Sequence, residues 1–117
     1  MSIKRVVPDI ASERMDESRK FYTEFLGFNV AMDMGWIVTL VSPSNPTAQI
    51  TLLQRTEPDA AHPQLSIEVA DVDAAHAKAT ALSLPIVYPL TDEPWGVRRF
   101  FVADPNGTVI NVMSHRS

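Results

Sequence analysis

The chain spells out one run of elements twice, and that repetition constrains its fold more than any single motif. Residues 3–10 read as a strand, about 16–26 as a helix, and 28–34, 36–42 and 48–54 as three further strands. A polar, proline-bearing stretch at 55–63 follows. Residues 65–69 then alternate with period two as a strand, 73 to about 82 form an Ala-rich helix, and 86–90, 97–103 and 108–113 read as strands. Both halves are strand–helix–strand–strand–strand. They share little sequence identity, so the repeat is one of architecture. This order predicts an α+β domain, with helices on one face of sheets rich in antiparallel pairs. The expectation is a single domain over 1–117 built from two βαβββ modules, about 1–57 and about 64–117. Their curved mixed sheets surround a cleft.

Local signals set the joints. Ser12 or Asp16 is placed to cap the first helix, because a side-chain oxygen there can accept a free first-turn amide. Phe21 and Phe25, with Tyr22 and Leu26, recur at spacings that put one face of that helix against a sheet. Gly27 stands where a left-handed C-terminal cap belongs, and Gly35 where the first hairpin turns. Pro85 ends the second helix, and Pro89 marks its strand as an edge or a bulge. Asp104-Pro105-Asn106-Gly107 is a tight turn: Pro presets one dihedral and Asn-Gly tolerates positive φ.

Composition removes whole classes of chemistry. Without cysteine there is no disulfide, no thiolate metal site and no thiol nucleophile. A net charge of -4 offers no basic surface for nucleic acid. No apolar stretch approaches the ~20 residues of a membrane span. The N-terminus runs into a strand-like segment without the apolar core of a signal peptide, so the expected location is the cytoplasm, with neither nucleic acid nor membrane as partner. No Gly-rich phosphate loop, Gly-x-Ser-x-Gly elbow or His-Glu-x-x-His helix is present.

Phe21-Tyr22-x-x-Phe25-Leu26-Gly27-Phe28 resembles the first-helix signature of the vicinal oxygen chelate superfamily, which holds glyoxalase I, extradiol dioxygenases and the fosfomycin- and bleomycin-resistance proteins. So does Asp104-Pro105-Asn106-Gly107 ahead of an apolar strand. The segment Glu93-Pro94-Trp95-Gly96-Val97-Arg98-Arg99-Phe100-Phe101 is most similar to the small bleomycin-resistance and glyoxalase-like branch. The resemblance implies a metal held by four side chains in the family's enzymes, at positions that fall here on Val7, Thr51, Gln64 and Asn111. Val7 has no ligand atom, Thr51 offers a neutral hydroxyl, and Gln64 and Asn111 offer neutral amides. Divalent metals want carboxylate, imidazole or thiolate. The expectation is therefore no metal and no cofactor. A site displaced onto His62 and His115 is the one metal alternative.

Strand parity puts Thr51, Gln64, Ser66, Glu68, Asn111 and Met113 on the cleft side and Ile50, Leu52, Leu65, Ile67, Val69, Ile110 and Val112 on the helix side. Arg99 and Phe101 share the cleft side. Arg98 points the other way, and Phe100 goes to the core. A surface ion pair is the plainer use of Arg99, and clamping an anion the alternative. Trp95 either stacks on a flat ligand or plugs the sheet end. Trp36 packs in the core or walls the cleft. Asp9 and Glu68 also alternate to the cleft side, where a carboxylate raised by burial could act as a base. His76, on the second helix, is expected in solvent. The reading that results is a metal-independent protein that binds a small planar or aromatic organic ligand in its cleft, of drug-sequestration type. The ligand contacts are Trp95, Arg99, Phe101, Asn111, Met113, Thr51, Gln64 and Trp36. The resemblance implies a homodimer. The alternative is a glyoxalase-like lyase, isomerase or dioxygenase that uses unusual metal ligands or a carboxylate base.

Overall fold

The computed structural model describes residues 2–55 and 62–116. The chain forms two compact units, one of Val7–Ala60 and one of Met1–Val6 with Ala61–Ser117. Both are α+β.

In the first unit β1 (Ile3–Ser12) lies parallel to β4 (Gln49–Gln54), with β3 (Ile37–Val41) and β2 (Asn29–Asp33) following antiparallel in the order β2-β3-β4-β1. Val38, Leu40 and Leu52 are buried on one face, with Ile10, Met15, Tyr22, Phe28 and Ile50 packed against them. Alternation sends Asp9, Thr39 and Thr51 to the opposite face, where Asp9 stands in register with Thr51 and Thr51 with Thr39.

The first helix departs from its predicted form. α1 (Met15–Lys20) stops after six residues, and a π-helical turn over Phe21–Phe25 replaces its second half. Gly27, at φ +82°, donates to the Thr23 carbonyl, and Phe28 N–H reaches back to the Tyr22 carbonyl at 3.1 Å. The wider turn seats Tyr22 on the core but leaves Phe21, Phe25 and Leu26 exposed, Phe25 by 72%. The expectation that the Phe21/Phe25 face packs is therefore corrected. The cap also differs. Arg14 is the capping residue and no side chain caps it. Ser12 Oγ instead accepts from Arg14 N–H at 3.0 Å, and Asp16 pairs with Arg19 at 2.8 Å.

In the second unit the strand order is β1-β5-β8-β7-β6, formed with β5 (Leu65–Val69), β6 (Ile86–Glu93), β7 (Val97–Ala103) and β8 (Val109–His115). β5 and β8 run parallel, and the β7–β8 and β6–β7 pairs are antiparallel. α2 (Val72–Ala81) starts at Asp71, whose carboxylate accepts from Ala74 N–H at 3.1 Å. Val72, Ala75 and Ala79 pack on Val69 and Phe100, with Ile67, Leu90, Val102 and Val112 around them. His76, expected in solvent, is half-buried: it meets Phe100 edge-on with centroids 5.0 Å apart. β6 runs three residues past its predicted end, because Asp92 and Glu93 pair with Arg98 and Val97 across the hairpin. Pro89 falls in the register shift between Tyr88 and Thr91.

Candidate functional site

The site is built on the face of the second unit that α2 leaves uncovered. Ser66 and Glu68 on β5, Asn111, Met113 and His115 on β8, and Arg99 and Phe101 on β7 alternate to it. Phe101 stands opposite Asn111, and Arg99 opposite Met113. Arg98 points to the α2 side, where it bonds Asp73 and Asp92 at 2.9 and 3.1 Å.

Trp95 sits at the tip of the β6–β7 hairpin. The turn closes with Gly96 N–H on the Glu93 carbonyl at 3.2 Å, and Gly96, at φ +84°, supplies the left-handed residue it needs. Trp95 is 52% exposed. Arg99 reaches under it: its guanidinium carbon lies 5.1, 4.9 and 5.4 Å from the ring centroids of Trp95, Phe101 and Tyr88. Tyr88 and Phe101 pack with centroids 4.8 Å apart. Glu93 completes the cluster. It takes Arg99 at 2.7 Å through one oxygen and the Tyr88 hydroxyl at 3.2 Å through the other. Arg99 is thus an ion-paired cation that braces three rings, and its charge is already matched.

Glu68 is held twice, by Arg5 Nε at 2.7 Å and by His115 Nδ1 at 2.8 Å. Burial on its own would raise its pKa. The hydrogen bonds from His115 and Arg5 and their charges outweigh that, and the net shift is below the ordinary glutamate value. Burial thus does not raise Glu68 on balance, which is the condition on which it reads as a base. A lowered carboxylate adds stability above its ordinary pKa and loses it as pH falls through the folded value. Glu68→Gln should accordingly flatten the acid limb of the stability profile below about pH 4.5, read by urea unfolding at each pH. Superimposable acid limbs would show that the pairing contributes nothing.

Asn111 is 8% exposed. Its Nδ2 donates to Ser66 Oγ at 3.0 Å, while its buried Oδ1 meets no donor among the described residues. Met113 and Phe101 are buried beside it.

The other candidates belong to other elements. Gln64 is exposed just before β5, and its N–H is spent on the Val109 carbonyl. Asp9, Val7 and Thr51 belong to the first unit, with Val7 and Asp9 buried. Trp36, at 45% exposure beyond the Gly35 turn, is not a core residue. A depression of about 330 Å³ in the same unit is lined by Ala11, Ser12, Glu13, Arg14, Ser18 and Arg55, none of them a sequence candidate.

The four positions that the resemblance assigns to a metal, Val7, Thr51, Gln64 and Asn111, do not suit one in their side-chain chemistry. They carry an alkyl group, a hydroxyl and two amides, and Asn111 already gives its Nδ2 to Ser66. Among the described residues no group of three or more His, Asp or Glu stands close enough to hold an ion. His115 is engaged with Glu68.

Of the residues gathered on this face, Trp95, Arg99 and Asn111 are candidates from the sequence, whereas Glu93, Tyr88 and Arg5 are not. Glu93 and Arg99 flank the Pro94-Trp95-Gly96 turn at a separation that a hairpin brings together, so a local signal for this pair exists. Arg5 and Glu68 lie 63 residues apart with no local signal.

No curated protein matches the chain in sequence. Solved structures match its fold. A glyoxalase/bleomycin resistance protein/dioxygenase superfamily member from Vibrio splendidus 12B01 is 19% identical with a TM-score of 0.74, over 97% of this chain and 99% of that one. Streptomyces coelicolor methylmalonyl-CoA epimerase, in complex with 2-nitronate-propionyl-CoA, is 20% identical with a TM-score of 0.75, over 99% and 100%. The epimerase of Mycobacterium tuberculosis is 20% identical with a TM-score of 0.73, over 99% and 89%. The family model that describes this fold matches residues 2–112, and by that match the chain belongs to the glyoxalase/bleomycin resistance protein/dioxygenase superfamily.

Proposed function

We propose that the chain binds a small planar or aromatic organic ligand without a metal, holding it stoichiometrically and making no bond. One observation carries this reading: Trp95, braced from beneath by Arg99 and half open, is a rigid aromatic platform at the rim of a face lined by Phe101, Met113 and Asn111. A flat ligand laid on it buries apolar surface worth about 25 cal/mol per Å² before ordering costs, and stacking adds about 0.5–1.5 kcal/mol. Arg99 holds the platform still, so less ordering is needed on binding. The donor set at the family's metal positions and the lowered Glu68 weigh against the metal-dependent and carboxylate-base versions of an enzyme. A homodimer belongs to the same reading. Exposed Phe21, Phe25 and Leu26 are apolar surface that an association of copies would cover.

The test is a titration of chelator-treated, ¹⁵N-labelled protein with 2-naphthol. The Trp95 indole N–H resonance should move saturably, at one ligand per chain. An unmoved Trp95 resonance at millimolar 2-naphthol would end the reading.

A further inference from the structure

We infer that the ligand of this face is uncharged and carries an N–H or O–H donor at its edge, which Asn111 Oδ1 reads. This rests on the proposed ligand-binding role of the face and names the class of molecule it takes. The charges on the face are matched within it: Glu68 by Arg5 and His115, Glu93 by Arg99. A charged ligand would have to disrupt these pairs, which is costly where they are half-buried. Among the described residues, the buried side-chain atom left unmatched on this face is neutral. Asn111 is nine-tenths buried, one end of its amide is tied to Ser66, and its Oδ1 has no donor among the described residues. A buried carbonyl left so has given up its water without a replacement, and a group that supplies the missing donor recovers that loss. Native interiors rarely carry such a group without a use.

Its surroundings fit that use. Phe101 stands directly across the ladder from Asn111, at the separation where side chains on one face touch. Phe101 in turn packs on Tyr88 and Arg99, the latter lying beneath Trp95. The aromatic platform and the orphaned acceptor are therefore joined by one contiguous set of side chains. Met113, next along β8 on the same face, is unbranched and adaptable, and is the side chain best able to yield as a donor enters.

The experiment compares 2-naphthol with 2-methoxynaphthalene, the same ring system with its donor blocked, in wild type and in Asn111→Leu. Wild type should bind 2-naphthol roughly tenfold more tightly, as a buried acceptor left without its donor predicts. In Asn111→Leu that preference should fall to within about twofold, and the melting temperature should hold or rise, because the variant removes an unsatisfied buried amide. Equal affinities in wild type, with the Trp95 resonance moving for both compounds, would overturn the donor assignment and leave the ligand-binding face standing. A preference that persists in Asn111→Leu would also overturn it. Failure of both compounds to move Trp95 would overturn the ligand-binding face, and the donor assignment with it.

Discussion

Trp95→Ala is expected to weaken 2-naphthol binding by about 30-fold, the roughly 2 kcal/mol that removal of an aromatic anchor from a binding surface costs. Folding should change by less than about 1 kcal/mol, since half of Trp95 is already open and its cation–π contact with Arg99 lies at the partly exposed hairpin tip. That separation of effects makes the variant informative. A residue that only plugged the hairpin tip would give the opposite pattern, with unchanged affinity and reduced stability. Calorimetry of wild type and variant, with urea unfolding of each, reads both quantities. Unchanged affinity for 2-naphthol would remove Trp95 from the binding surface.

The second large effect is on the fold. Phe100→Ala should destabilise the chain by about 3–5 kcal/mol. Phe100 is 1% exposed and touches Val69, Val72, Ala75 and Ala79, so its removal empties the contact between α2 and the sheet and takes away the aromatic partner of His76. Phe25→Ala, at a position 72% exposed in the single chain, should stay within about 0.5 kcal/mol when unfolding is measured at a concentration that keeps the chain monomeric. Urea unfolding would show a lower midpoint with the slope unchanged for Phe100→Ala and no shift for Phe25→Ala. If Phe25→Ala cost as much as Phe100→Ala, the π-helical turn would be presenting Phe25 to a core after all.

The contrast between these two phenylalanines shows how much of the fold is legible in the sequence. Phe100 lies in a strand with strict alternation, where parity alone assigns a face. β5 and β7 run over the residues that parity predicts, and the helix-side set Ile67, Val69 and Val112 does pack with Phe100. Gly27 and Gly107 adopt the positive φ that their positions require. Phe25 lies in a segment where a spacing of four fits an α-helical face equally well. Nothing local signals that Phe28 N–H will reach back to the Tyr22 carbonyl and widen the turn. The same limit governs the site. Period-two counting tells which residues share the face, and it places His115 with Asn111. Which charges cancel depends on partners far apart in sequence. Glu68 reads as a lone carboxylate until Arg5, from the first strand, closes on it. The Asn111 amide is recognisable as a poor metal ligand from its type alone, but its unpaired oxygen appears only once Ser66 is seen to take the other end.

The most direct test of a metal-independent site is calorimetric titration of Zn²⁺, Ni²⁺, Mn²⁺ and Fe²⁺ into chelator-treated, tag-free protein. An alkyl group, a hydroxyl and two amides at the family's metal positions predict no stoichiometric binding at micromolar ion, with 2-naphthol bound equally well in the presence of chelator. One ion per chain, bound at micromolar concentration, would contradict the account.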